Sequence, residues 1–350
     1  MSAPGSPTGG RVVTLTANPS LDRTLSLPGR LDRGGVVRLA PSSTEPGGKG
    51  VNVARAVAAA GGDVVTVLPA ADDDPIVAAL HRLALPLTTV PVPAPVRTNY
   101  TLAEPDGTTT KLNEPGAPLD ESTRAALIEA LHRHAEAARW VVLSGSLPPG
   151  TPLDWYADLV RSLRGTGARI AVDTSEAPLL ALLAAGPDAA PDLLKPNSEE
   201  LAQLTGVPEA DLLADRGALL TAVAELHARG VAEVLLTLGA DGALLSTADG
   251  GLWSALPPPV TVRSTVGAGD SSLAGYLLAD LAGASPAERL RTAVAYGSAA
   301  ASMAGSALPT PAQVDIAAVR VKSGMPTRTA SGRNEASSTV SVPAAGRDAR

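Results

Sequence analysis

The chain of 350 residues contains no cysteine and no phenylalanine. Without cysteine there is no disulfide framework, no thiolate metal site and no Cys nucleophile, a pattern that fits a reducing compartment. Without phenylalanine, and with three Trp and four Tyr in all, the core has to be built from Leu, Val, Ala and Ile. Basic runs are also missing, and the formal charge of −7 argues against a nucleic-acid partner. The four histidines, His81, His132, His134 and His227, all fall on predicted helices. His132 and His134 are two positions apart and cannot share a helical face, so a histidine metal site is not expected. No apolar run is long enough to span a membrane, and the Pro/Gly/Ser-rich Met1–Gly10 lacks the apolar stretch of a signal peptide. The expectation is a soluble cytoplasmic protein without a membrane partner.

What is present is a repeated alternation of strand and helix. Val12–Thr16 is a short β-branched run that ends in Ala-Asn-Pro, as a buried strand does where it leaves the core. Thr24–Leu27 with Val36–Leu39, and Val96–Leu102 with Thr108–Leu112 around Asp106-Gly107, read as two small hairpins able to pair as one minor sheet. Further strands are expected at Val64–Leu68, Trp140–Leu143, Ile170–Val172, Leu193–Leu194, Glu233–Leu238, Ala243–Ser246 and Val260–Val262. Helices are expected at Gly50–Ala60, Pro75–Leu83, Glu121–Ala137, Leu153–Arg164, Arg216–Arg229, Ser271–Leu281 and Glu288–Met303. Repeated βα units imply an α/β fold with a mostly parallel sheet covered on both faces. Residues 1–10 read as a flexible N-terminus and 322–350, rich in Ser, Thr, Arg and Gly, as a disordered tail.

In such a sheet ligands sit beyond the carboxyl ends of the strands, and the loops there hold the polar residues. Thr265-Val266-Gly267-Ala268-Gly269-Asp270 carries two glycines and a carboxylate into the start of a helix. Helix N–H groups and glycines without a Cβ make an anion hole suited to a phosphoryl group. A carboxylate there would repel a phosphate, so Asp270 is better read as the base that takes a proton from an attacking hydroxyl. Taken alone, the same residues are also a tight turn with Asp270 as an ordinary N-cap.

The Gly47–Gly50 segment is not a Walker A loop, since Lys49 is followed by Gly50 and no hydroxyl. Nor is it a dinucleotide fingerprint, which needs its glycines straight after the first strand. It permits close backbone approach to a small ligand, with Lys49 and Asn52 able to contact oxygens. Taken alone, Lys49 reads first as a solvated loop lysine.

These loops, in this order, resemble the ribokinase-like PfkB carbohydrate kinases from about Arg11 to Asp315. Pro46-Gly47-Gly48-Lys49-Gly50-Val51-Asn52-Val53-Ala54-Arg55 and Thr265-Val266-Gly267-Ala268-Gly269-Asp270-Ser271 carry the likeness. Thr14–Asp22, Arg97-Thr98-Asn99, Asn113-Glu114-Pro115-Gly116 and Ser144–Gly150 look like the branch that phosphorylates sugar phosphates.

The resemblance implies a three-layer αβα kinase domain over 11–321, with a small β-sheet lid from about 22–42 and 96–114. It implies Asp270 as base and Gly267, Ala268 and Gly269 as the amides facing the transferred group. Asn197 and Glu200 would orient Mg²⁺ largely through water. Lys195, Asn197, Thr237, Gly239, Ala240 and Gly242 would line ATP, the co-substrate. Asp22, Gly48, Lys49, Asn52, Arg97 and Ser146 would serve the sugar phosphate, Arg97 and Lys49 both pairing with the phosphate already present. The expected acceptor is fructose 1-phosphate, with tagatose 6-phosphate or fructose 6-phosphate as alternatives and a non-catalytic sugar-phosphate sensor as the rival of another class. A homodimer through the lid is a further expectation. One departure stands out: part of the branch has an all-glycine loop and a lysine on an early lid strand, whereas this chain carries Lys49 in the loop, about Val36 at the lid position, and Arg38 as a second lid cation.

Overall fold

The computed structural model describes residues 9–303 and 305–324. Its strands are β1 (Arg11–Thr16), β2 (Ser20–Ser26), β3 (Ser43–Gly47), β4 (Val64–Pro69), β5 (Leu87–Val90), β6 (Arg97–Ala103), β7 (Thr109–Asn113), β8 (Ala138–Ser144), β9 (Arg169–Asp173), β10 (Leu193–Leu194), β11 (Glu233–Thr237), β12 (Ala243–Thr247), β13 (Leu252–Leu256) and β14 (Arg320–Ser323). Ten form one sheet in the order β14-β13-β12-β11-β10-β9-β8-β1-β4-β5. It is parallel from β5 to β11 and antiparallel from β11 to β14.

Side chains on β1 alternate between two cores, as the period of two requires. Val13 and Leu15 pack with the helices Glu121–Ala135, Trp155–Leu163, Glu176–Ala184, Ser198–Thr205 and Arg216–Ala228 on one face. Val12 packs with Lys49–Ala59, Pro75–Arg82, Ala268–Leu281 and Pro286–Ala301 on the other. Helix starts follow local chemistry. Asp74 and Asp120 each accept a backbone N–H from the first turn, and Ser285 with Glu288 forms a reciprocal capping box.

The remaining four strands form the lid sheet, in the order β3-β2-β6-β7. The hairpin β6–β7 stands where expected, but the partner of β2 does not. Val36–Leu39 is irregular, with Val36 90% exposed, and β3 takes the edge of β2 in the register Asp22↔Glu45. The other edge of β2 belongs to β6, in parallel. With both edges filled, the β-branched run at 36–39 has neither a ladder nor a core to join. The lid segments therefore run from Ser20 to Gly47 and from Arg97 to Asn113.

Two other expectations change. Val260–Val262 is not a strand, because Pro257-Pro258-Pro259 offers no N–H donors and ends the ladder after β13. The tail does not begin at 322, since Lys322 and Ser323 pair with Ser254 and Trp253. Residues 1–8 and 325–350, which hold most of the two expected flexible ends, lie outside the described residues.

At the end of the sheet away from the strand carboxyl termini, six side chains form a largely buried polar cluster. Arg169 bonds Glu233 (2.9 Å) and Asp280 (3.2 Å), and Arg289 bonds the same two carboxylates at 3.2 and 3.0 Å. Tyr276 donates to Glu233, and Trp140 Nε1 donates to Asp280 at 2.8 Å. The cluster ties the last two helices to β8, β9 and β11.

Candidate functional site

A cleft of about 980 Å³ opens at the carboxyl ends of the parallel strands, where the lid meets the main sheet. Every candidate residue named from the sequence except Arg38 lines it: Asp22, Gly48, Lys49, Asn52, Arg97, Ser146, Lys195, Asn197, Glu200, Thr237, Gly239, Ala240, Gly242, Gly267, Ala268, Gly269 and Asp270. Arg38 is exposed in the irregular segment before β3.

Asp270 sits in the first turn of the helix Ala268–Leu281, which starts three residues earlier than expected. Gly267 is the N-cap, with φ 75°, a left-handed conformation that a side chain would strain. No side chain caps this helix; the Ala268 N–H bonds the Thr265 carbonyl at 3.4 Å, while those of Gly269 and Asp270 have no partner among the described residues and can meet an anion. Asp270 is therefore not an N-cap. It is 5% exposed, and Asn52 Nδ2 donates to its Oδ2 at 2.9 Å. Burial pushes its pKa up, Lys49 pulls it down and Asp173 pushes it up again. Asn52 reaches Asp270 because the two glycine-led helices pack side by side. Gly50 lets the first of them approach β1: a Cβ there would lie 2.5 Å from Thr16 Oγ1 and 2.6 Å from the Leu15 carbonyl.

Asp173, the last residue of β9, went unnoticed in the sequence. It is fully buried, with Lys49 Nζ 3.1 Å from Oδ1 and Lys195 Nζ 3.1 Å from Oδ2. Burial alone would raise its pKa, but Lys195 and then Lys49 more than offset this and hold the carboxyl below its usual range. Lys49 also stands 3.9 Å from Asp270 Oδ1, and the carboxylates, Asp173 foremost, raise its own pKa. Lys49 is thus an ion-paired residue and not a solvated loop lysine. The only sequence signal for Asp173 was an acidic residue directly after the predicted strand Ile170–Val172.

On the lid side, Asp22 Oδ1 accepts from Ser20 Oγ (2.8 Å) and Asn99 Nδ2 (2.9 Å), which aims the carboxylate into the cleft. Arg97 donates to the Glu114 carbonyl (3.1 Å) and to Ser146 Oγ (3.4 Å), while its buried Nε has no partner. Asn18 Nδ2 donates to the same Ser146 oxygen at 3.3 Å. A buried guanidinium donor without a partner is a place for an anion. The two cations expected on one phosphate are therefore differently placed, Arg97 open to a ligand and Lys49 engaged by carboxylates.

On the opposite side, Asn197 and Glu200 form a capping box. Asn197 Oδ1 accepts the Glu200 N–H at 2.7 Å, and Glu200 Oε2 accepts the Asn197 N–H at 2.9 Å. Glu200 is thus a first-turn carboxylate, yet it is 7% exposed, lines the cleft and keeps Oε1 without a partner among the described residues. Burial and then Asp173 raise its pKa, so a cation nearby would relieve it. Among the described residues no group of three or more His, Cys, Asp or Glu side chains could enclose a metal. The donor set fits an ion that keeps most of its water and takes its other ligands from phosphates. Thr237 ends β11, and the turn Gly239–Asp241 follows. The wall beyond is apolar and includes Pro257–Pro259, Val260, Val262 and Val294. Val260–Val262, expected as a strand, belongs to this irregular wall, and the triple proline before it is the sequence signal for a loop.

Residues 18–313 match the pfkB family carbohydrate kinases. The chain is similar to the 1-phosphofructokinase of Xanthomonas campestris pv. campestris, 38% identical over 289 residues, which is 81% of this chain and 89% of that protein. It is 38% identical over 309 residues to the 1-phosphofructokinase of Rhodobacter capsulatus, 86% of this chain and 93% of that protein. Among solved structures, phosphofructokinase-2 from Escherichia coli in complex with substrates and products superposes with a TM-score of 0.79 at 34% identity, over 87% of this chain and 96% of that one.

Proposed function

The chain belongs to the pfkB family of carbohydrate kinases, and on that footing we propose that it transfers the γ-phosphoryl group of ATP to fructose 1-phosphate, making fructose 1,6-bisphosphate and ADP. The observation that carries the reading is the uncapped helix N-terminus at Gly267–Gly269 with buried Asp270 beside it, facing the unpartnered Arg97 donor across one cleft.

The chemistry follows from these residues. Asp270 takes the proton of the acceptor hydroxyl, whose oxygen attacks the γ-phosphorus as the bond to the ADP oxygen breaks. The free N–H groups of the Ala268–Leu281 helix meet the charge on the transferred group. Arg97 and Ser146 hold the phosphate already on the sugar, and Asp22 accepts from its hydroxyls. The nucleotide lies along Lys195, Thr237 and the Gly239–Gly242 turn. Mg²⁺, held through water by Glu200 and Asn197, would neutralise phosphate charge when bound.

The similarity to Escherichia coli phosphofructokinase-2 favours fructose 6-phosphate as the second reading. Release of ADP, measured with fructose 1-phosphate, fructose 6-phosphate and tagatose 6-phosphate, tests the choice. The largest kcat/KM is expected on fructose 1-phosphate; a preference for another sugar phosphate would reassign the substrate, and no turnover on any would leave a binding protein. The lid also supports a homodimer. It exposes Val36, Leu39 and Leu112, and β7 is exposed along its whole length. A monomeric mass at micromolar concentration with full activity would overturn that assembly.

A further inference from the structure

The carboxylate that ends β9 lies behind the cleft, in contact with two lysines that line it, and the reaction as written does not use it. Asp173 is fully buried, and each of its oxygens already faces an ammonium group, Lys49 at 3.1 Å and Lys195 at 3.1 Å. Oδ1 accepts a hydrogen bond from Lys49, and Oδ2 meets Lys195 as an ion pair without an aligned hydrogen bond. Its place is fixed. Its register partner on β8 is Ser144, and its carbonyl accepts the Gly145 N–H at 2.9 Å, so its backbone is locked into the middle of the main sheet.

The two lysines diverge from this anchor. Lys49 leads toward the base, 3.9 Å from Asp270 Oδ1. Lys195 leads toward the anion-binding turn: a methyl group on Gly269 would stand 3.2 Å from its Nζ. Two ammonium groups this close would repel each other and wander on their four-carbon stems without a shared anion. We propose that Asp173 is a positioning residue, one buried carboxylate that holds Lys49 on the acceptor side and Lys195 on the donor side of the phosphoryl group in transfer. The proposal rests on the reading of Asp270 and Gly267–Gly269 as the transfer centre. Charge moves from the nucleotide to the acceptor during the reaction, and a pair of cations set in advance on both sides needs no rearrangement as it moves. A structural tie between β9 and its neighbours would need the ion pairs but not their exact spacing.

The test is steady-state kinetics on Asp173→Asn and Asp173→Glu with ATP and fructose 1-phosphate, well below the unfolding temperature. Asp173→Asn keeps the shape and removes the charge. Displacement of positioned groups costs about a hundredfold, so kcat should fall by about that factor while both KM values stay within about threefold. Asp173→Glu keeps the charge and shifts both ammonium groups by one methylene. It should fold as the wild type does and still lose about tenfold or more in kcat with little change in KM. If Asp173→Asn does not fold, Asp173→Glu decides alone. Wild-type kcat in Asp173→Glu would overturn the proposal, as would KM rising as far as kcat falls in either variant. Asp270→Asn is run beside them: if it stays active the transfer centre itself is misplaced and the proposal goes with it, whereas an inactive Asp270→Asn beside an unaffected Asp173→Glu refutes the positioning role only.

Discussion

Replacing Lys49 by Met should move the acid limb of the kcat profile to higher pH by about one unit. Asp270 acts as a base only when ionised, and burial has already raised its pKa, so kcat falls as pH drops through that value. Lys49 Nζ lies 3.9 Å from Asp270 Oδ1 and favours the ionised form. Two unit charges at this separation interact by about 4 kcal/mol at an effective dielectric of about 20. The Lys49 side chain is 35% exposed, and solvent screening reduces this to about 1–2 kcal/mol, or about 0.7–1.5 pH units. The sign is fixed: removing the cation raises the pKa of Asp270 further, so on top of a pH-independent loss from the missing positioned ammonium group the deficit grows as pH falls. The measurement is kcat from about pH 5 to about pH 9 at saturating ATP and sugar phosphate, where the profile reports groups in the bound complex. An unmoved acid limb, accompanied by a KM for the sugar phosphate raised tenfold or more, would refute the reasoning. Lys49 would then be the phosphate-binding cation expected from the sequence.

Arg97→Ala should lower kcat/KM for the sugar phosphate by about tenfold to over a hundredfold, the worth of a charge-assisted contact, with KM for ATP nearly unchanged. Arg97→Lys should recover only part of it, because a point charge cannot reproduce the guanidinium fork; equal losses for both substrates would contradict the assignment. Asp270→Asn should lower kcat by about a hundredfold or more while calorimetry still finds ATP bound, and a kcat near that of the wild type would remove the base. Arg289→Leu should leave kcat alone but cost about 3 kcal/mol or more in stability, since it strips a cation from Glu233 and Asp280 at the far end of the sheet. An unchanged urea midpoint would show that Arg169 alone suffices there.

Much of this protein is a matter of local backbone chemistry, and that much the sequence determined by itself. Glycines at 267 and 269 around the start of one helix, glycines at 47, 48 and 50 around the start of another, and short β-branched runs between them specify the α/β order and the loops that line the cleft. The capping box at Asn197 and Glu200 is likewise a pattern of neighbours. Tertiary structure decided what depends on elements meeting. Asp173 and Lys49 are 124 positions apart and Asn52 and Asp270 are 218 apart, so no spacing could announce either pair. Val36–Leu39 has the composition of a strand but lost it to Ser43–Gly47, because a strand has two edges and both of those on β2 were taken. The role of Lys49 turned on the same point. A lysine in a glycine loop is a free cation until the fold places a buried carboxylate within reach, and burial, by removing water from both, makes that pairing obligatory.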